Sequence, residues 1–371
     1  MANNNKHTGP NVPALRFPEF SGEWTKIKLG DLGSFFSGGT PSSSRKDFYG
    51  GEIPFIRSGE LHSDSTALSI TKEAYNSCSA KMVNKGDLLL ALYGATSGDI
   101  SISRISGAIN QAILCIRPQY MDAYFIKSLW EKHKKHILET YLQGGQGNLS
   151  SEIIKNISFF FPNSDEQVKI SRLIHIIDDR IETQSKIIEE QETLLKSLAD
   201  SLISSQVANM ALNDCVVARS SAMKESELEN SGPFPVFGAS GLCGYSNEAL
   251  EESDSILVTK DGSGVGTCQY ATGAHSFLGT LCSLTAKEGV YLPYVYYALL
   301  NFNFASFKTG LAIPHIYFKD YGKAVIYCPS YDEQVRIASG LEKIEAKIKS
   351  DKELLKLYQL QKEYLLSRMF I

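Results

Sequence analysis

Two segments of the chain place apolar residues at alternating spacings of four and three. The first runs through Ile170, Ile174, Ile177, Ile181, Gln184, Ile188, Gln191, Leu195, Leu198 and Leu202. The second runs through Ile337, Leu341, Ile344, Ile348, Asp351, Leu355, Tyr358, Lys362, Leu365 and Met369. This is an a/d heptad seam, the mark of a helix that buries one stripe against another helix. Pro162 and Pro329 stand just upstream, and Ser164 with Gln167, or Ser330 with Glu333, fits a capping box. Each helix should span about 40 residues, roughly 60 Å at ~1.5 Å per residue. Between the helices the apolar runs are short, as in β-strands. Shorter helices are expected near Ala123–Tyr141 and Leu292–Phe302.

The two helical segments belong to an internal repeat. Phe161-Pro162-Asn163-Ser164-Asp165-Glu166-Gln167 recurs as Cys328-Pro329-Ser330-Tyr331-Asp332-Glu333-Gln334, an offset of 167 residues from Pro162 to Pro329. The same offset aligns Asp87–Leu92 with Asp254–Thr259, each a short buried strand running into a glycine-rich turn. Ala108–Ile113 matches Ser276–Leu281 at an offset of 168, and Pro54-Phe55-Ile56 matches Pro235-Val236-Phe237 at 181. The chain therefore reads as globule, long helix, globule, long helix. The expected divisions are a tail at 1–20, a first globule at 21–162, a central helix at 163–206, a second globule at 207–329 and a C-terminal helix at 330–371.

Composition adds little against this picture and charge adds something. Of 371 residues, 43% are hydrophobic and 21% charged, which is ordinary for a globular protein. No apolar run reaches transmembrane length and Met1–Pro10 has no apolar core, so a cytoplasmic protein is expected. The seven cysteines form no CxxC pair and are expected to be reduced thiols. The net charge is −4. Residues 1–160 carry 17 basic and 14 acidic side chains, whereas residues 207–329 carry 7 and 11. Two globules on one scaffold thus have different surfaces, as expected when each copy reads a different ligand.

Catalytic signatures are missing. There is no P-loop, no HExxH and no Asn/Asp-Pro-Pro-aromatic tetrad. Asp261-Gly262-Ser263-Gly264-Val265-Gly266 follows a strand, but no long helix opens behind it, so a turn facing a ligand groove is the expected reading. Its repeat partner, Gly94–Asp99, has the same position with a different spacing. Glu345-Ala346-Lys347 reads as a solvated helix face. Lys132-His133-Lys134-Lys135-His136 reads as a basic helix surface, either solvated or facing phosphate. No metal site is expected. Three polar loops suit DNA. Ser37–Lys46 offers hydroxyls and two cations, Ile56–Glu60 pairs Arg57 with Glu60, and Gln143–Asn148 offers amides of the type that reads adenine.

The ordered set resembles the specificity subunit of type I restriction–modification enzymes. It comprises Leu29-Gly30-Asp31, Gly38-Gly39-Thr40-Pro41-Ser42, Ile53-Pro54-Phe55-Ile56, Lys85-Gly86-Asp87-Leu88-Leu89, Asn110-Gln111-Ala112, and the proline, Asp-Glu-Gln and long helix that close each half. The second half lacks the Gly-Gly-Thr-Pro-Ser loop and the Asn-Gln pair. The resemblance implies an α/β (α+β) fold: two target-recognition domains separated by two long antiparallel coiled-coil helices, with pseudo-two-fold internal repetition. It implies a non-catalytic chain that reads a bipartite, asymmetric site on double-stranded DNA. Two methyltransferase subunits would dock on it, and restriction subunits would complete the complex. No cofactor is expected on this chain; S-adenosylmethionine, ATP and Mg belong to the partners. The DNA-facing residues expected are Thr40, Ser43, Arg45, Lys46, Arg57, Ser58, Tyr93, Gln146 and Asn148 in the first domain. In the second they are Ser240, Lys260, Asp261, Ser263, Lys308 and His315. The helix interface expected is Ile170, Ile174, Ile177, Ile181, Ile188, Leu195, Leu198, Ile337, Leu341, Ile344, Ile348, Leu355, Tyr358 and Leu365. The helices are expected to pair antiparallel as a spacer, and a chain cut to 1–206 is expected to dimerise through its single helix. The competing class is a coiled-coil assembly scaffold whose two domains bind ligands other than DNA.

Overall fold

The computed structural model describes residues 10–141, 148–310 and 314–371. The chain forms two compact units. Unit 1 comprises residues 1–183 and 355–371, and unit 2 comprises residues 184–354, so both divisions fall inside the long helices.

Unit 1 is built on two four-stranded sheets. In the first, Gly33–Ser37, Ile113–Pro118, Leu88–Ala91 and Ile100–Ile102 lie side by side, all antiparallel. Leu88–Ala91 is buried at every position, which explains its unbroken apolar run. In the second sheet the order is Ser69–Ile70, Tyr49–Ile56, Gly107–Ile109 and Lys81–Val83, with Tyr49–Ile56 and Gly107–Ile109 parallel. The helix Ala123–Tyr141 covers the first sheet, burying Phe125, Ile126, Leu129 and Trp130. The last turn of the C-terminal helix completes this core. Leu366, Met369 and Phe370 pack with Trp24 and Phe125, the Phe370 ring lying 5.1 Å from that of Phe125.

Unit 2 repeats the arrangement with less material. Val216–Ser220, Leu281–Ala286, Ser255–Thr259 and Cys268–Ala271 form the first sheet, and Gly241–Ser246, Phe234–Gly238 and Ser276–Phe277 the second. The parallel pair is kept: Phe55↔Ala108 and Ile56↔Ile109 in unit 1 match Val236↔Ser276 and Phe237↔Phe277 in unit 2. These are the offsets of 181 and 168 read in the sequence. The central strand departs from its expected offset. Ala91↔Ile113 corresponds to Thr259↔Leu281, so Ala91 matches Thr259 at 168 rather than Val258 at 167. A slip of one residue flips every side chain to the other face, and the ladder fixes the register that apolar residues on both faces leave open in the sequence. Here the end of the central helix closes the core. Ala199 and Ile203 are buried, and the turn Asp200–Ser204 packs on the helix Leu292–Leu300.

The central helix runs Ser164–Ala199 and continues into a π-helical turn, Asp200–Ser204; the C-terminal helix runs Tyr331–Met369. Ser164 is not the cap. The Asn163 side chain accepts from the Glu166 N–H at 3.0 Å, so the helix starts at Ser164, one residue earlier than the capping box implied. Leu202 leaves the seam. The wider π turn adds a residue and brings Ile203 inward, leaving Leu202 41% exposed. Ile170, Ile174, Ile177, Ile188, Leu195, Ile337, Leu341 and Ile348 are buried. Ile181, Leu198, Ile344, Leu355, Tyr358 and Leu365 are half-buried. Within unit 1 the two helical segments run antiparallel, with Asp178 against Lys362 and Arg180 over the Tyr358 ring.

Gln167 and Gln334 explain the repeated Asp-Glu-Gln. Each is buried at a helix start, and its Nε2 donates to the carbonyl of Pro162 or Pro329 at 2.9 Å. Its Oε1 accepts from the N–H of Asp122 or Tyr291, at 3.2 and 2.9 Å. One side chain thus ties each long helix to the shorter helix of its unit. The neighbouring glutamates differ. Glu166 is fully buried and holds Arg16 of the N-terminal segment through two bonds of 2.7 Å, whereas Glu333 pairs with exposed Arg336.

Candidate nucleic-acid interface

Strand order gathers polar side chains at one end of each β-core. In unit 1, Ser37 pairs with Leu114, Ala91 with Ile113 and Ile56 with Ile109, so these strands share an end. The chain beyond them is cross-linked there. The N–H of Gly39 donates to Ile109, that of Asn110 to Ile56, that of Leu92 to Ala112 and that of Leu149 to Leu92. Gly38 permits this approach, since a Cβ there would meet the Ile109 carbonyl at 1.8 Å. Thr40, Arg57, Ser58, Tyr93 and Asn148 therefore emerge at one end, joined by Asn110 and Gln111. The Thr40 hydroxyl donates to the Gln111 side chain. Arg57 holds Glu60 at 3.0 Å, and Glu60 also accepts from the Ala67 N–H at 2.8 Å.

The remaining residues expected in unit 1 lie elsewhere. Arg45 and Lys46 precede Tyr49–Ile56 and Arg57 follows it, so the two cations stand at the opposite end of that strand from Arg57. Arg45 is engaged: Asp47 lies 2.5 Å away and the guanidinium sits 4.1 Å over the Phe48 ring. Ser43 and Lys46 are exposed. Gln146, with the rest of Gln143–Gly147, lies outside the described residues.

Unit 2 builds the same end. The Leu278 N–H donates to Phe237, that of Lys260 to Thr280 and that of Ile316 to Lys260, all at 2.9 Å. Lys260, Asp261 and His315 thus occupy the places of Leu92, Tyr93 and Asn148. Ser240 follows the strand Phe234–Gly238 into its hairpin turn. Asp261 bridges His315 backbone to backbone, and Thr309, beside Lys308, exchanges both backbone bonds with His315. The glycine loops coincide once the offset of 168 is applied. Gly94 and Gly262 have φ of +85° and +95°, and Gly98 and Gly266 have +79° and +91°. Gly98 donates to Ala91, and Gly266 to Thr259, at 2.8 Å in both. The loop spacing is therefore the same in both units, contrary to the sequence expectation, and Ser263 lies exposed on the second loop.

Two other expectations fall. The basic run on the helix Ala123–Tyr141 does not form a phosphate-facing patch. Lys132 donates to the Phe370 carbonyl, the His133 ring bonds the Ile371 carbonyl at 2.9 Å and stacks on Phe159, and Lys134 pairs with Asp99. Burial lowers the pKa of both Lys132 and His133. Only Lys135 and His136 of that run are exposed. Nor is Glu345 a solvated side chain, for it accepts from the Tyr297 and Tyr296 hydroxyls at 2.7 and 3.3 Å. Its repeat equivalent, Asp178, accepts from Tyr124 and lies 2.9 Å from Lys127 and 2.7 Å from Lys362. Burial would raise the Asp178 carboxyl, but Lys127, Lys362 and the Tyr124 hydroxyl bring it below its ordinary value. Asn110 and Gln111, which the sequence marks only as a motif, join this end because they directly follow the strand Gly107–Ile109, and that adjacency is the signal that points to them.

Among the described residues no group of three or more His, Cys, Asp or Glu could hold a metal ion. None of their helices is long and apolar enough to cross a membrane.

The family described as type I restriction modification DNA specificity domain matches residues 21–193 and 205–357. The chain is 28% identical over 188 residues to the type I restriction enzyme MjaIX specificity subunit of Methanocaldococcus jannaschii, a match spanning 48% of this chain and 42% of that protein. It is 19% identical over 372 residues to the EcoprrI specificity subunit of Escherichia coli, covering 87% of each. Among solved structures, the type I restriction–modification S subunit from M. genitalium superposes with a TM-score of 0.68 at 19% identity, over 97% of this chain and 99% of the other. A chain from a structure of type I complex assembly and conformational transition gives 0.53 at 13% identity, over 93% and 97%.

Proposed function

The chain belongs to the type I restriction–modification DNA specificity family, and from that premise we propose that it reads a bipartite, asymmetric site on double-stranded DNA, each unit taking one half-site. The observation that carries this reading is the polar strand end built twice on one backbone frame. In unit 1 that end offers the hydroxyls of Thr40, Ser58 and Tyr93, the amides of Asn110, Gln111 and Asn148, and Arg57; in unit 2 it offers Lys260, Asp261 and His315. Side chains of these types read base edges and grip phosphates. Two surfaces of one shape and unlike chemistry suit two unlike half-sites.

Two methyltransferase subunits dock on this chain in the proposed complex, and restriction subunits join them. S-adenosylmethionine, ATP and Mg are carried by those partners, and this chain contributes recognition without catalysis. The acidic balance of unit 2 leaves a larger share of phosphate contact to the docked methyltransferase. Methylation-sensitive long-read sequencing of the host, with and without this gene, tests the proposal. The expected result is one two-part adenine-methylated motif that vanishes with the gene. An unchanged set of modified motifs would overturn it.

A further inference from the structure

Asp261 is the anomaly of the unit 2 strand end. It takes the place that Tyr93 holds in unit 1, directly after the strand Ser255–Thr259 and Lys260. It stands beside His315 through a backbone bridge, with exposed Ser263 two residues on. Cross-strand neighbours of this kind stand close, at ~4.5–5.5 Å between Cβ atoms. Asp261 is half-buried, yet among the described residues its carboxylate has no hydrogen-bond or ion-pair partner. The acid at the unit 1 strand end, Glu60, is neutralised by Arg57 and two backbone N–H groups.

An uncompensated carboxylate facing DNA is repelled by every phosphate near it. It also repels the acceptor edges of guanine and thymine. Only the exocyclic amino groups, cytosine N4 and adenine N6, give it a hydrogen bond in return. We propose that Asp261 is a specificity-determining residue of unit 2, its carboxylate accepting a hydrogen bond from an exocyclic base amino group in the major groove. Lys260, the preceding residue, and Lys308, next to the Thr309 that pairs with His315, supply the phosphate attraction that keeps the acid at the duplex. Discrimination here comes as much from rejection of the wrong edge as from attraction to the right one.

This inference rests on the reading of the chain as a DNA specificity subunit, and the test separates the two. The full chain with its methyltransferase is bound to a randomised duplex pool, and the bound sequences are compared for wild type and Asp261→Ala. Wild type should select cytosine or adenine at one position of one half-site, the selected base telling which amino group is read. In the variant, discrimination at that position should fall by about 5- to 150-fold. Binding to duplex lacking the motif should rise, because a repelling charge is gone. Rising non-specific and falling specific binding together are a signature that a misfolded variant does not give. An unchanged motif, or specific and non-specific binding falling together, would overturn the role of Asp261. Wild type selecting no sequence would instead overturn the proposed function.

Discussion

Unit 1 and unit 2 share a ladder and differ in what locks it. At equivalent points of the two long helices, Asp178 is held by Lys127 and Lys362, while Glu345 is held by two tyrosine hydroxyls. The helix end that completes each core differs too. Leu366 and Phe370 fill unit 1, and their equivalents in unit 2 are Ala199 and Ile203. Glu166 grips a buried arginine where Glu333 grips an exposed one. Backbone pairing was preserved through the duplication and side-chain locks were not, so each helix end is fitted to its own unit.

Replacing Glu166 by Ala should break that comparison most sharply. It strands Arg16, 2% exposed, without its carboxylate, at a cost of about 3–5 kcal/mol. Glu333→Ala should leave stability unchanged. Hydrogen exchange resolved by unit checks both, with unit 1 alone losing protection in the first variant. Next in size is Lys362→Leu, which leaves Asp178 and Glu131 to share Lys127 and should cost about 3 kcal/mol. The repeat offset puts Leu195 in that place if a chain cut to 1–206 pairs with itself. Such a dimer should therefore be weak, and Leu195→Lys should strengthen it; analytical ultracentrifugation of both truncations decides the matter.

Acid should separate the units further. Asp178 has a lowered pKa, so its stabilisation is present above the unfolded value near ~3.9 and is lost as pH falls through the folded value. His62 and His133 are also lowered, chiefly by burial. The unfolded chain protonates them first, so stability declines as pH drops below about 6.5. All three groups lie in unit 1, which should lose protection before unit 2 in hydrogen exchange between neutral and acid pH. The smallest effect is the one expected to be equal. Gly94→Ala and Gly262→Ala each force a side chain into positive φ in open space and should each cost about 1 kcal/mol. Unequal melting shifts would show that the loops are not equivalent.

Much of this was legible in the sequence because duplication leaves traces. The repeated Pro and Asp-Glu-Gln located both helix starts, and heptad spacing located the seams. Register was less legible. Leu88–Ala91 is apolar on both faces, so a one-residue slip produces no polar mismatch to betray it. The π turn that trades Leu202 for Ile203 has no sequence mark either. Among candidate DNA residues, Thr40, Arg57, Tyr93 and Asn148 share a strand end in spite of wide separation in the chain. The charge of Arg45 suggests a phosphate contact, but charge alone does not reveal that Asp47 and Phe48 already occupy it. The run at Lys132–His136 misled for the same reason, since its first three members are taken by Phe370, Ile371 and Asp99.

The central claim is that equivalent strand ends read different halves of one site. Its most direct test is to map methylated motifs for wild type, Arg57→Ala and His315→Ala, each expressed with the methyltransferase. The expected outcome is a two-part motif in which Arg57→Ala relaxes one position of one half, by about 1–3 kcal/mol of discrimination. His315→Ala should relax only the other half. If both variants altered the same half, or if neither altered the motif, the account of two reading surfaces on one duplicated scaffold would be contradicted.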